Sequence, residues 1–137
     1  MKHRRGFTLI ELIVVILIIA ILATLVVPNV ISHVSESKVA KAQSDISELH
    51  QALDTFHLDN DRYPTTQEGL DALVNQPSNT KNWKQVVPKV PTDPWGNPYI
   101  YQYPGPNGGD SFLLESYGSD GQQGGTQDAA DIIDGQF

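Results

Sequence analysis

Apolar and polar positions divide the chain into stretches of different period. From Phe7 to Val27 almost every residue is apolar, and Leu12 to Val27 carries no charge. These 21 residues would extend about 31 Å as a helix at ~1.5 Å per residue. That length matches a hydrocarbon core of about 30 Å, so the pattern predicts a membrane-spanning helix. Pro28, which lacks an N–H and crowds the preceding turn, is expected to end or bend it. Beyond Pro28 the apolar positions thin to a stripe. Ala42, Ile46, Leu49, Leu53 and Phe56 recur at spacings of four and three, with Ser44, Asp45, Glu48, Gln51 and Asp54 filling much of the remainder. This is the signature of a helix with one face toward a core, and Asp59-Asn60-Asp61 is its expected end.

The period then changes again. Thr65 and Glu68 have capping-box spacing ahead of Leu70, Leu73 and Val74, predicting a short helix with these residues inward. From Asn75 to Pro106 the density of Pro, Asn and Gly predicts loops, with Trp83 and Trp95 as aromatic anchors. Tyr99 to Tyr103 and Ser111 to Tyr117 alternate as strands do, with a turn over Pro104 to Gly109. No internal repeat is present. The predicted class is α+β: one long N-terminal helix packed on a small antiparallel head.

Charge sharpens the picture at both ends. The chain has 137 residues and a net charge of −7. Lys2, Arg4 and Arg5 precede Gly6, so without residues 1–6 six basic residues face sixteen acidic ones, a net of −10. The basic start places the N-terminus of the apolar helix in the cytoplasm. No Lys or Arg follows Lys89, whereas Asp93, Asp110, Glu115, Asp120, Asp128, Asp131 and Asp134 do. Such a surface disfavours nucleic acid and favours cations. With no cysteine, disulfides and thiol catalysis are excluded. His3, His33, His50 and His57 lack a metal-ligand spacing and read as core or surface histidines. Ser116 and Ser119 have no histidine nearby in sequence, and no phosphate-cradling Gly-x-x-x-x-Gly-Lys element exists. The chain is therefore read as a non-enzyme.

Two features carry candidate chemistry. Glu11 is an acid set inside the apolar run, where an unpaired charge is costly. If the chain were cut after Gly6, the new amine of Phe7 would be a cation near the same depth. Helices offset along their axes would then pair Glu11 of one copy with Phe7 of the next; the plainer reading is a snorkelling or protonated acid. The second feature is the Gly-rich segment Asp120 to Asp131, with carboxylates at Asp120, Asp128 and Asp131. It reads either as a solvated acidic tail or as an oxygen-donor loop for Ca²⁺. Its spacing is not that of an EF-hand.

Gly6-Phe7-Thr8-Leu9-Ile10-Glu11 resembles the class III signal of type IV pilin-like proteins. Tyr63 to Leu70, Asp93-Pro94-Trp95-Gly96-Asn97-Pro98-Tyr99, and Gly118-Ser119-Asp120-Gly121 through Ala130-Asp131-Ile132 resemble the major pseudopilins of the type II secretion system. The resemblance covers essentially the whole chain, departing where an Asn-Trp-like ending is replaced by Ile133-Asp134-Gly135-Gln136-Phe137.

It implies cleavage between Gly6 and Phe7 by a prepilin peptidase, with N-methylation of Phe7. Residues 7–28 then form the transmembrane and assembly helix, and 29–137 a periplasmic head. Glu11 and Phe7 serve assembly. A calcium site is implied at Asp120, Asp131 and the Tyr117 carbonyl, with Asp128 and the Gln122 and Thr126 carbonyls as further candidates. The implied product is a homopolymer, a periplasmic pseudopilus anchored in the inner membrane. Its implied partners are minor pseudopilins, the peptidase and an inner-membrane assembly platform, and its energy comes from a separate ATPase. A type IV pilin for adhesion or motility, and a membrane-anchored calcium-binding module that never polymerises, are the competing readings.

Overall fold

A computed structural model describes residues 6–137, apart from the side chains of residues 25–32 and 128; the basic leader Met1 to Arg5 lies outside the described residues. A single helix, α1 (Leu9–Asn60), accounts for both helical patterns. Pro28 does not end it, contrary to one of the two expectations for that residue. A proline removes its own N–H bond, here to the Thr24 carbonyl, and crowds the preceding turn, but strong helical patterns stand on both sides and carry the helix through.

The chain divides into two compact units, one up to Ser35 and the other Glu36–Phe137. In the first, every described residue from Gly6 to Thr24 is exposed, so no face of this stretch is covered by its own chain. No helix among the described residues is long and apolar enough to cross a membrane. The described apolar side chains stop at Thr24, and the charge-free run reaches Val27 beyond them.

In the second unit the predicted stripe forms the core wall. Ala42, Ile46, Leu49, Leu53 and Phe56 are all buried, joined by Ala52. The helix ends at Asn60 because Asp61 turns left-handed, at φ 55°. Its N–H still reaches the His57 carbonyl at 2.8 Å, which satisfies one of the orphan carbonyls of the last turn.

Thr65 and Glu68 form the expected reciprocal box. Glu68 Oε2 accepts the Thr65 N–H at 2.8 Å, and Thr65 Oγ1 accepts the Glu68 N–H at 3.2 Å. The box closes the turn that leads into the expected short helix, a 3-10 helix over Gly69–Leu73. Leu70 and Leu73 are buried as predicted, but Val74 is only half-buried. Trp83 anchors the loop region on this helix through an Nε1–H bond to the Ala72 carbonyl at 2.8 Å.

The sheet has three strands in the order β1 (Ile100–Gln102), β2 (Leu113–Ser116) and β3 (Ile132–Ile133), all antiparallel. Both predicted strands are real and shorter than their sequence patterns. β3 was not expected, since two residues are too few for a period to show. It pairs Ile132 with Ser116 and Ile133 with Glu115, which fixes both ends of the acidic loop to the same edge.

Candidate functional site

At the N-terminal end the Gly6–Phe7 bond lies in exposed, non-helical backbone, and Phe7 is 88% exposed. Thr8 is the N-cap of α1: its carbonyl accepts the Leu12 N–H at 3.3 Å. Its Oγ1 accepts the Glu11 N–H at 3.3 Å, while Glu11 Oε2 accepts both the Thr8 N–H and the Thr8 hydroxyl at 2.8 Å. This is a capping box. Glu11 thus has an intrachain partner that the sequence reading missed, although Thr8-Leu9-Ile10-Glu11 shows the same spacing that identified Thr65 and Glu68. Phe7, Ile10, Glu11, Val14 and Val15 line one open groove on this exposed stretch.

The C-terminal loop is built on a scaffold that begins at Asp93, which is only 3% exposed. Asp93 Oδ1 accepts the backbone N–H groups of Trp95 at 3.1 Å and Asn97 at 2.7 Å, closing the Asp-Pro-Trp-Gly-Asn turn on itself. Its Oδ2 accepts the Ser116 hydroxyl at 2.7 Å. Ser116 Oγ in turn accepts the Gly118 N–H at 3.2 Å, and the Asn97 side-chain amide donates to the Gly118 carbonyl at 3.2 Å. The turn therefore holds the loop entrance. Two buried acceptor oxygens meeting three donors is what permits a carboxylate in this interior.

Inside the loop the predicted ligands take different positions. Asp120 is exposed, and its Oδ1 caps its own turn by accepting the Gln122 N–H at 3.1 Å. Asp131 Oδ2 spans the loop to accept the Gly124 N–H at 2.8 Å. Tyr117 immediately precedes the 3-10 helix Gly118–Asp120, and Thr126 precedes a second one, Gln127–Ala129. The Asp128 side chain lies outside the described residues. Gly125, at φ +89°, passes so close to Ala129 that a Cβ there would lie 2.2 Å from the Ala129 carbonyl oxygen.

Asp131 Oδ1 is buried and has no hydrogen-bond partner. Glu115, 3% exposed, is a buried acid close enough to feel the charge of Asp131. Burial, and then the charge of Asp131, push the Glu115 carboxyl above its ordinary range, with the Tyr117 hydroxyl partly opposing them. A buried carboxylate oxygen with no donor, next to another acid, lacks a positive charge. Oxygen-only, anionic donors suit a hard cation such as Ca²⁺, so these residues fit the implied ion. Among the described residues no three His, Cys, Asp or Glu side chains come close enough to hold a metal. Backbone carbonyls would have to complete any such shell.

The histidines do other work. His50 Nδ1 lies 2.5 Å from Asp134 Oδ2 and its Nε2 3.5 Å from Asp54 Oδ2. The departure at Asp134 thereby gains a partner on α1. His57 stacks on Tyr63 at 4.4 Å between ring centroids.

One helix, exposed and apolar in its first part and walling a small antiparallel head in its second, defines the type IV pilin-like class. Residues 29–135 match the family model described as type II secretion system protein G, and residues 1–27 match the prokaryotic N-terminal methylation motif. The type II secretion system core protein G of Pseudomonas aeruginosa is 48% identical over 136 residues, covering 96% of this chain and 94% of that protein. Its counterpart from Vibrio cholerae is 45% identical over 137 residues, covering 96% and 92%. The crystal structure of the major pseudopilin from enterohaemorrhagic Escherichia coli aligns with a TM-score of 0.65 at 37% identity, over 80% of this chain and 96% of that one. The chain belongs to the type II secretion system protein G family, the major pseudopilins.

Proposed function

We propose that the chain, cut between Gly6 and Phe7 and methylated on Phe7, polymerises into a periplasmic pseudopilus that drives folded proteins across the outer membrane. The observation that carries this reading is the protein G match over residues 29–135, joined to the methylation motif over residues 1–27. The scissile bond is exposed and outside the helix, where a peptidase can reach it. Before assembly, Phe7 to Val27 anchors the chain in the inner membrane by a single pass, with the head in the periplasm. During assembly the exposed apolar stretch packs against copies of itself, and minor pseudopilins and an inner-membrane platform act on it. Close packing and polar pairing, more than hydrophobicity, then hold the fibre, because lipid already solvates apolar surface.

In this reading the Thr8–Glu11 box opens its carboxylate to the Phe7 amine of a neighbouring copy. The subunit is mechanical and has no catalytic role. Asp120 and Asp131, with the Tyr117 carbonyl and with Asp128 and the Gln122 and Thr126 carbonyls as further donors, hold Ca²⁺. When bound, the ion supplies the positive charge that the loop lacks and ties its two ends together.

The test is deletion of the gene and complementation with wild type or Glu11→Ala, scoring exported enzyme in the medium. Loss of export in the deletion and with Glu11→Ala, restored by wild type, supports the reading. Normal export from the deletion strain would overturn it. Normal export with Glu11→Ala would remove the pairing role alone. Crosslinking should give a ladder of subunits; a single band would favour the non-polymerising module.

A further inference from the structure

We propose that Glu115 belongs to the cation site of the C-terminal loop, supplying the interior negative charge that, with Asp131, draws a divalent ion to the β2–β3 edge. This rests on the calcium reading above and adds to it a residue outside the ligand set carried over from the family.

Glu115 pairs with Ile133 across β2 and β3. Tyr117 and Asp131 stand one residue beyond the ends of β2 and β3, at the mouth of the loop. There the Tyr117 hydroxyl bonds the Glu115 carboxyl, and Asp131 lies close enough for its charge to act on it. Both point toward shielded space: Glu115 is buried, and Asp131 Oδ1 is buried without a partner. The other oxygen of Asp131 is already committed to the Gly124 N–H, so closing the loop turns Oδ1 toward the interior. No Lys or Arg follows Lys89, and the cations of the head that have carboxylate partners pair elsewhere: Arg62 with Glu68, Lys41 with Asp45 and Lys84 with Asp59. No described side-chain cation is paired with Glu115 or Asp131. A buried acid beside a half-buried one is unfavourable without a counter-charge, and affinity at oxygen-donor calcium sites rises with ligand charge. The same acid that destabilises the empty loop should therefore tighten the filled one.

The experiment uses the full processed chain in detergent, with calcium chloride as the probe. Thermal melting is followed by tryptophan fluorescence, and Kd is measured by calorimetry. Wild type, Glu115→Gln and Glu115→Asp are compared. Glu115→Gln should melt no lower than wild type in chelator and bind calcium roughly tenfold more weakly, while Glu115→Asp, which keeps the charge, should recover most of the affinity. If wild type binds calcium and Glu115→Gln matches its Kd, Glu115 is not part of the site and the calcium reading stands. If Gln and Asp weaken binding equally, the effect is shape rather than charge and the proposal fails. If wild type binds no calcium, the calcium reading falls and the proposal with it.

Discussion

Replacing Asp93 with alanine should cost more than any other single polar change in the head. The carboxylate accepts three bonds, from the Trp95 and Asn97 N–H groups and the Ser116 hydroxyl. Hydrogen bonds to a charged group contribute about 1.5–3 kcal/mol each, and stranding a buried donor costs a similar amount. Trp95 and Asn97 are both half-buried, so water can partly replace the bonds from their N–H groups, whereas Ser116 is fully buried. The stranded Ser116 hydroxyl and the partial loss of the two N–H bonds set the expected loss at about 3–4 kcal/mol. Asp93→Asn keeps an acceptor for both N–H groups and offers an amide to Ser116, so it should lose only about 1–2 kcal/mol. Urea unfolding followed by tryptophan fluorescence, with Trp95 itself as a reporter, reads both. At a slope near 1.5 kcal/mol per molar, Asp93→Ala should lower the midpoint by roughly 2 M with the slope unchanged. A midpoint within about 0.5 M of wild type would refute the view that this carboxylate organises the turn and the loop entrance.

Three further outcomes are expected. All five tyrosines, Tyr63, Tyr99, Tyr101, Tyr103 and Tyr117, ionise above their ordinary value, Tyr63 at about 12 through burial and its bond to Asp54. Above pH ~10 the unfolded chain loses protons that the folded chain keeps, so stability should fall as pH rises from ~10 toward 12; a phenolate absorbance rise near pH 10 with the fold intact would contradict this. The Arg62–Glu68 pair, with Oε2 2.7 Å from Nη1, holds the Glu68 carboxyl below its ordinary range, led by the Arg62 bond. Its contribution, about 1 kcal/mol or less for so accessible a pair, is present above pH ~4.5 and lost as pH falls through the lowered folded value; Glu68→Gln should flatten that part of the acid stability curve. Gly125→Ala should open the loop, since both the φ and the Ala129 carbonyl exclude a Cβ. Faster proteolysis between Gly118 and Asp131, with the core transition preserved, is the expected reading.

Legibility in the sequence depends on distance along the chain. The α1 stripe, its end at Asn60 and the Thr65–Glu68 box depend on neighbours three or four residues apart, and the sequence pattern displays them. The N-terminal box at Thr8 and Glu11 is equally local, but a carboxylate in an apolar run fits a pairing role and a capping role alike, and only the bonds to Thr8 separate them. His50 with Asp134, and Asp93 with Ser116, join residues 84 and 23 positions apart. Only the sheet and the helix bring them together. Glu115 looked like one acid in an alternating strand; β2 is instead shielded along Leu114–Ser116, so its acid became interior. β3 exists because Ile132 and Ile133 meet β2, not because two residues have a strand preference.

Electron microscopy of fibres sheared from cells overproducing the chain tests the central claim most directly. Fibres built from Phe7–Phe137 subunits are expected, abundant with wild type, absent with Glu11→Ala, and fewer when calcium is chelated. Correctly processed chain that remains monomeric in the membrane, with no fibres under any condition, would contradict it.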